Sequence, residues 1–306
     1  MKKALLYIMV MIILLFLGAC SESKEDLSLA DEPKPLEEEV SKEEGIEEES
    51  MEVPKEKDEP FVEEREMEGA TKVVTLEEIK TRYEGREPKE WGEVVTGVKT
   101  KINTQEQIIA LTFDACGGAY DEELIQYLKD QKIPATLFIS GKWIHNHSDT
   151  LVKLAEIPIF DIANHGKHHK PLSVKGAFAY GIPGTTSIEE VYHEVYDNHL
   201  KIKELTGHES KFFRSGTAYY DEIGVEIVED LGEIVVNYNV LGDAGATFSA
   251  NQIYESMILA EPGAIMLFHM NHPDSDVAEG VKRGIEALIE EGFEFVLLKD
   301  YIIKLQ

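Results

Sequence analysis

The chain has 306 residues, with 59 acidic against 30 basic side chains and a formal net charge of −29. That balance argues against direct nucleic-acid binding, which needs a basic surface. Two cysteines in the whole chain are too few for a disulfide framework.

Lys2 and Lys3 precede an apolar run from Ala4 to Phe16, and Leu17-Gly18-Ala19-Cys20 follows. A positive start, a short apolar stretch and a small-residue cleavage site describe a secretory signal peptide over residues 1–20. Its last four residues resemble a lipobox, so Cys20 is the expected lipidation site. The expected location is exported, extracytoplasmic and anchored to the membrane by lipid. Lipidation of Cys20 leaves Cys116 without an intramolecular partner. Residues 21–70 hold 21 acidic and 6 basic side chains, about half of the chain's net charge, and few large apolar residues. So little apolar surface cannot offset ordering entropy, and a disordered acidic linker is expected there.

Residues 71–306 read as one domain. Thr75–Tyr83 has a helical pattern, and Glu90–Ile102 reads as a strand or extended cap. Short runs rich in Ile, Val, Leu and Phe follow at 108–113, 135–140, 159–163, 211–214, 233–239, 264–268 and 293–298. Between them lie amphipathic patterns at 121–131, 187–205, 221–231, 251–259 and 277–291. Alternating β and α units predict an α/β fold with a parallel sheet and outer helices. Seven candidate strands point to a (β/α)7-type barrel. No GxGxxG follows the first strand, which removes support for a dinucleotide site. Residues 176–186 form an insertion expected to shape a substrate groove.

Four strand ends carry polar residues where barrel enzymes keep their chemistry. Asp114 follows the first apolar strand, before Ala115, Cys116 and two glycines. Asn164-His165-Gly166-Lys167-His168-His169 ends the third strand, and His165 and His169 have a spacing suited to one metal. His168 is expected to point elsewhere. Arg214 ends the fourth strand and can hold a carboxylate through paired hydrogen bonds. His269 ends the sixth, where it can act as an acid near neutral pH, with Asp243 as a carboxylate that raises its pKa.

The series Thr-Phe-Asp, His-x-x-x-His-x-Pro, Arg, Asp and Leu-x-His resembles the motifs of the NodB-like polysaccharide deacetylases, over roughly Gln107 to Leu298. That resemblance implies a distorted (β/α) barrel that hydrolyses N-acetyl groups on sugars such as chitooligosaccharides and peptidoglycan glycans. It implies Asp114 as general base oriented by Arg214, and His269 as general acid tuned by Asp243. His165 and His169 would be metal ligands, for a divalent metal such as Zn²⁺. Leu267 would line the acetyl pocket, and the backbone N–H of Thr217 would face the oxyanion.

Three departures stand out. Ala115 occupies the position of the family's third ligand, an Asp. Asp114, Cys116, Asp161 or Asp243 could replace it, or the enzyme could work without metal; a buried neutral Cys116 is the simpler expectation. Gly216-Thr217 replaces the usual Pro-Tyr, and Ala244 the usual Trp. The chain is read as a monomeric hydrolase acting on a polysaccharide. The alternatives are a non-catalytic glycan-binding lipoprotein and a metal-independent, allantoinase-like amide hydrolase.

Overall fold

The computed structural model describes residues 74–302. The signal peptide, the whole acidic linker and Cys20 lie outside the described residues. No helix among the described residues is long and apolar enough to cross a membrane.

The strands are β1 (Ile108–Ala115), β2 (Ala135–Ile139), β3 (Phe160–Asn164), β4 (Phe178–Ala179), β5 (Ile182–Pro183), β6 (Phe212–Phe213), β7 (Ile234–Val235), β8 (Val240–Leu241), β9 (Ala264–His269) and β10 (Glu294–Phe295). The helices are α1 (Leu76–Tyr83), α2 (Glu122–Gln131), α3 (Gly141–Ala155), α4 (Ile188–Thr206), α5 (Glu222–Asp230), α6 (Ala250–Ile258), α7 (Val277–Glu290) and α8 (Leu298–Tyr301). The main sheet runs β7-β6-β3-β2-β1-β9-β8, and β10 pairs with the start of β1. Every pairing in it is parallel, the consequence of helical crossovers between successive strands. The sheet curls until its two edges, β7 and β8, are joined by four residues. Lys99 and Lys101 bridge to Val236 and Ala264 there. The barrel-type expectation therefore holds, with an extended strap closing the gap.

The residues of β1 explain the layering. Ile109, Leu111, Phe113 and Ala115 belong to the core shared with α2, α3 and α7, including Leu124, Trp143 and Ile285. Ile108 and Ala110 join Phe138, Ala163, Phe212, Val236 and Ile265 in a second cluster inside the barrel. Alternation along the strand then places Thr112 and Asp114 above that apolar plug, towards the mouth.

Three local features refine the sequence reading. Glu90–Ile102 is extended and forms isolated bridges without becoming a strand. The insertion is an antiparallel hairpin, β4–β5, turning at Tyr180-Gly181, where both φ angles are positive. Helix α3 was missed. It starts at a glycine capped by Ser140, carries polar His145, Asn146 and His147, and leaves helical geometry at His147. Its apolar stripe is therefore interrupted in sequence, although Trp143, Ile144, Leu151 and Leu154 are all buried.

Candidate active site

β1 and β9 are paired in register, with Asp114 opposite His269, so both residues point into the same mouth. Asp114 is 4% exposed. The Arg214 Nη1 donates to its Oδ1 at 2.8 Å and to Thr112 Oγ1 at 2.9 Å. Nε and Nη2 donate to the carbonyls of Val236 and Asn237, each at 3.1 Å. The guanidinium lies 4.1 Å over the Phe138 ring, on top of the apolar plug. One fully buried cation thus ties β6 to β1 and to the segment that closes the barrel. Burial pushes the Asp114 carboxyl up, but the charges of Arg214, His165 and His269 outweigh it and hold it below the usual carboxylate range.

The histidine loop supplies the second group. The Nδ1 of His165 lies 2.9 Å from the Arg214 carbonyl, so that nitrogen donates and the Nε2 lone pair faces the site. Nε2 is 3.5 Å from the Cys116 sulfur and 3.6 Å from Asp114 Oδ2. His169 adopts φ +56°, a left-handed conformation that turns its ring onto His165, with ring centroids 4.9 Å apart. Its Nε2 is buried with no hydrogen-bond partner. The donor atoms of Cys116, His165 and His169 all lie within 4.8 Å of one another.

A sulfur and two imidazoles, one with an orphaned ring nitrogen, fit a divalent metal of the zinc type, which accepts Cys and His ligands and uses three of them in hydrolytic sites. Cys116, not Ala115, is the third donor that the geometry brings beside the two imidazoles. Ala115 faces the outer core with Phe113. Burial raises the Cys116 pKa, but the neighbouring imidazoles of His165, His169 and His269 bring it well below the ordinary thiol value. Asp161 pairs with Lys299 at 3.1 Å, away from the site, and Asp243 is committed to His269. His168 is exposed, as expected.

Asp243 Oδ2 accepts the backbone N–H of His269 at 2.6 Å, and Oδ1 lies 2.9 Å from its Nδ1. Burial lowers the His269 pKa, but the Asp243 hydrogen bond and Cys116 raise it well above the ordinary imidazole value. Asp114 and His269 share a cavity of about 510 Å³ with Thr217, Leu267, Gly216, Ala244, Glu93, Tyr180, Ile182 and Tyr238.

Several residues escaped the sequence reading. The buried carboxylate of Glu194, on α4, accepts the backbone N–H groups of His168 at 2.9 Å and Lys170 at 3.1 Å. Asn164 Oδ1 accepts the N–H of Gly166 at 3.0 Å. Together they hold the histidine loop in its coil. Glu93 and Tyr238 enter the cavity from the strap and the barrel gap. Asn164 opens the histidine motif but was given no role there, and Glu194, Glu93 and Tyr238 lie in no motif.

Residues 101–236 match the family profile described as polysaccharide deacetylase. A bifunctional xylanase/deacetylase of Pseudobutyrivibrio xylanivorans is 23% identical over 207 residues, which is 67% of this chain but only 32% of that protein. An uncharacterized 30.6 kDa protein of Geobacillus stearothermophilus is 25% identical over 227 residues, 71% of this chain and 79% of that one. Among solved structures, the family 4 carbohydrate esterase PdaA of Bacillus subtilis superposes with a TM-score of 0.58 at 22% identity, covering 76% of this chain and 90% of its own. A family 4 pseudoenzyme from Bacillus anthracis gives the same TM-score at 19% identity, covering 68% and 69%. The fold is that of the family 4 carbohydrate esterases.

Proposed function

We propose that this chain, whose residues 101–236 match the polysaccharide deacetylase profile, hydrolyses N-acetyl groups on a polysaccharide of the cell envelope. The observation that carries this reading is the shared mouth: a carboxylate held ionised by Arg214 faces an imidazole held protonated by Asp243, across one cavity. Such a pair of opposed protonation states is what acid–base hydrolysis needs, and a glycan-binding protein has no use for it.

Asp114 takes a proton from the attacking water, while Arg214 keeps its carboxylate aimed at the cavity. The carbonyl oxygen gains charge as water adds, and the Thr217 backbone N–H is its proposed donor. His269, charged before the reaction begins, gives its proton to the leaving nitrogen. Acetate and a free amine result. Leu267 lines the acetyl side. A divalent cation, zinc by its donor set, is proposed at Cys116, His165 and His169, where it would supply Lewis-acid polarisation of the acyl carbonyl. Export through residues 1–20 and a lipid on Cys20 would place the domain beside wall polymers.

The test is acetate release from chitooligosaccharides by the full chain, with and without a chelator, beside Asp114→Asn. Loss of a general base costs about 10²–10⁴-fold in rate. Equal acetate release by wild type and the Asn variant would reject the base assignment.

A further inference from the structure

The cavity described above is walled on one side by residues that no acid–base step employs. The strap is pinned there by paired backbone hydrogen bonds between Gly92 and Tyr220, at 3.1 and 3.0 Å. Asn237 Nδ2 adds a bond to the Glu93 carbonyl at 2.6 Å. So fixed, the strap sends the Glu93 side chain into the cavity. Tyr180, from the hairpin turn, donates to Glu93 Oε1 at 2.8 Å, and Tyr238 donates to Oε2 at 3.3 Å. A carboxylate has about four acceptor sites, so each oxygen keeps room for a further donor.

Aromatic faces continue outward from this carboxylate. The Tyr180 ring meets Tyr219 edge-on, centroids 5.4 Å apart, and Trp91 meets Tyr219 at 5.7 Å. Tyr180 is nevertheless 72% exposed and Trp91 36%. Ile182 and Leu241 extend the apolar rim. An exposed aromatic row on a strongly acidic chain is costly unless something covers it. A pyranose does so well: its axial C–H groups lie on ring faces while its equatorial edge donates hydrogen bonds.

We propose that Trp91, Glu93, Tyr180 and Tyr219 form a sugar-binding subsite next to the reacting unit. The neighbouring pyranose lies on the aromatic row and gives an O–H or N–H to Glu93, which makes the protein selective for oligomeric over monomeric glycan. This deepens the deacetylase reading and rests on it for its place in catalysis. The strap and hairpin set the specificity, and the barrel sets the chemistry.

The experiment compares kcat/KM on a chitopentasaccharide with kcat/KM on the disaccharide, for the full chain and for Tyr180→Ala and Glu93→Gln. A preference of the wild type for the longer chain, reduced about tenfold in each variant, is the expected result; it corresponds to ~1.4 kcal/mol. A general loosening of the fold lowers both substrates together and leaves the ratio intact, and an unchanged ratio overturns the subsite. Repeating the series with a partly deacetylated pentasaccharide identifies the donor: a larger loss in Glu93→Gln there assigns an ammonium, an equal loss a hydroxyl. Should the wild type release acetate from none of these sugars, the deacetylase reading fails and binding decides the subsite. Calorimetry with the chitopentasaccharide on Asp114→Asn, alone and combined with Tyr180→Ala, then reads it directly. Binding weakened about tenfold by Tyr180→Ala supports the subsite, and absence of binding to Asp114→Asn overturns it.

Discussion

Arg214→Met is the most exacting perturbation of this molecule. The side chain is fully buried and makes four hydrogen bonds, one of them the ion pair with Asp114. Methionine fills much of the same space over Phe138 but leaves the Asp114 carboxylate buried without its cation. Breaking a buried pair in this way costs ~3–5 kcal/mol, against roughly 0–1 for an exposed one. At ~2–4 °C per kcal/mol for a domain of this size, the unfolding midpoint should fall by ~6–20 °C. The cause can be isolated by pH. Without Arg214, burial is opposed only by His165 and His269, so the Asp114 pKa rises from its wild-type position and the penalty, present at neutral pH, is relieved as the carboxyl protonates. The wild-type pair behaves oppositely: its stabilisation is present above the unfolded carboxylate pKa and fades as pH falls through the lowered folded one. The deficit between the two proteins should therefore shrink on acidification. The double variant Arg214→Met/Asp114→Asn should be more stable than Arg214→Met, because no charge is left stranded. Calorimetry across pH checks both statements. A neutral-pH deficit below about 1 kcal/mol, or a double variant less stable than the single, would refute the buried-pair account.

The lowered Asp114 and raised His269 predict a wide pH plateau for kcat/KM, since base and acid are both in their working forms across neutrality. In Asp243→Asn the imidazolium loses its partner, so the alkaline limb should move to lower pH while the acid limb stays; a stationary alkaline limb would remove Asp243 from this role. Gly216→Ala should reduce metal content after dialysis, because a Cβ at Gly216 would lie 2.5 Å from the His169 Cα, a backbone atom that must shift. Normal metal stoichiometry in that variant would mean the loop yields freely. Cys116→Ser should also lower zinc stoichiometry, as a serine hydroxyl stays protonated where a thiolate binds. Full zinc occupancy in it would exclude sulfur from the ligand set.

Much of the barrel was legible in the residues alone. Buried parallel strands read as unbroken apolar runs, and β1, β2, β3 and β9 appear within a residue or two of where those runs begin and end. Asp114, Arg214 and His269 were recognisable because each stands at the end of an apolar strand, and Asp243 as a carboxylate in the loop after the fifth. Periodicity failed at α3, whose polar His145 and His147 interrupt the stripe, and at the strap, where extended backbone pairs only at isolated points.

What the chain dictates locally is the order of strands and the polar residue at each tip. Which of those tips converge is a property of the curled sheet. The family resemblance put a third ligand at the position of Ala115, the neighbour of Asp114. The pleat of β1 turns Ala115 into the outer core, and the tight turn after it brings the Cys116 sulfur back beside two imidazoles. Likewise nothing in residues 84–98 announces a cavity wall. Glu93 becomes part of one only because the strap crosses the barrel gap and meets Tyr180 and Tyr238, partners 87 and 145 positions away. Contacts of that span carry no local signal, since the distance between their residues is set by the packed sheet and not by the chain between them.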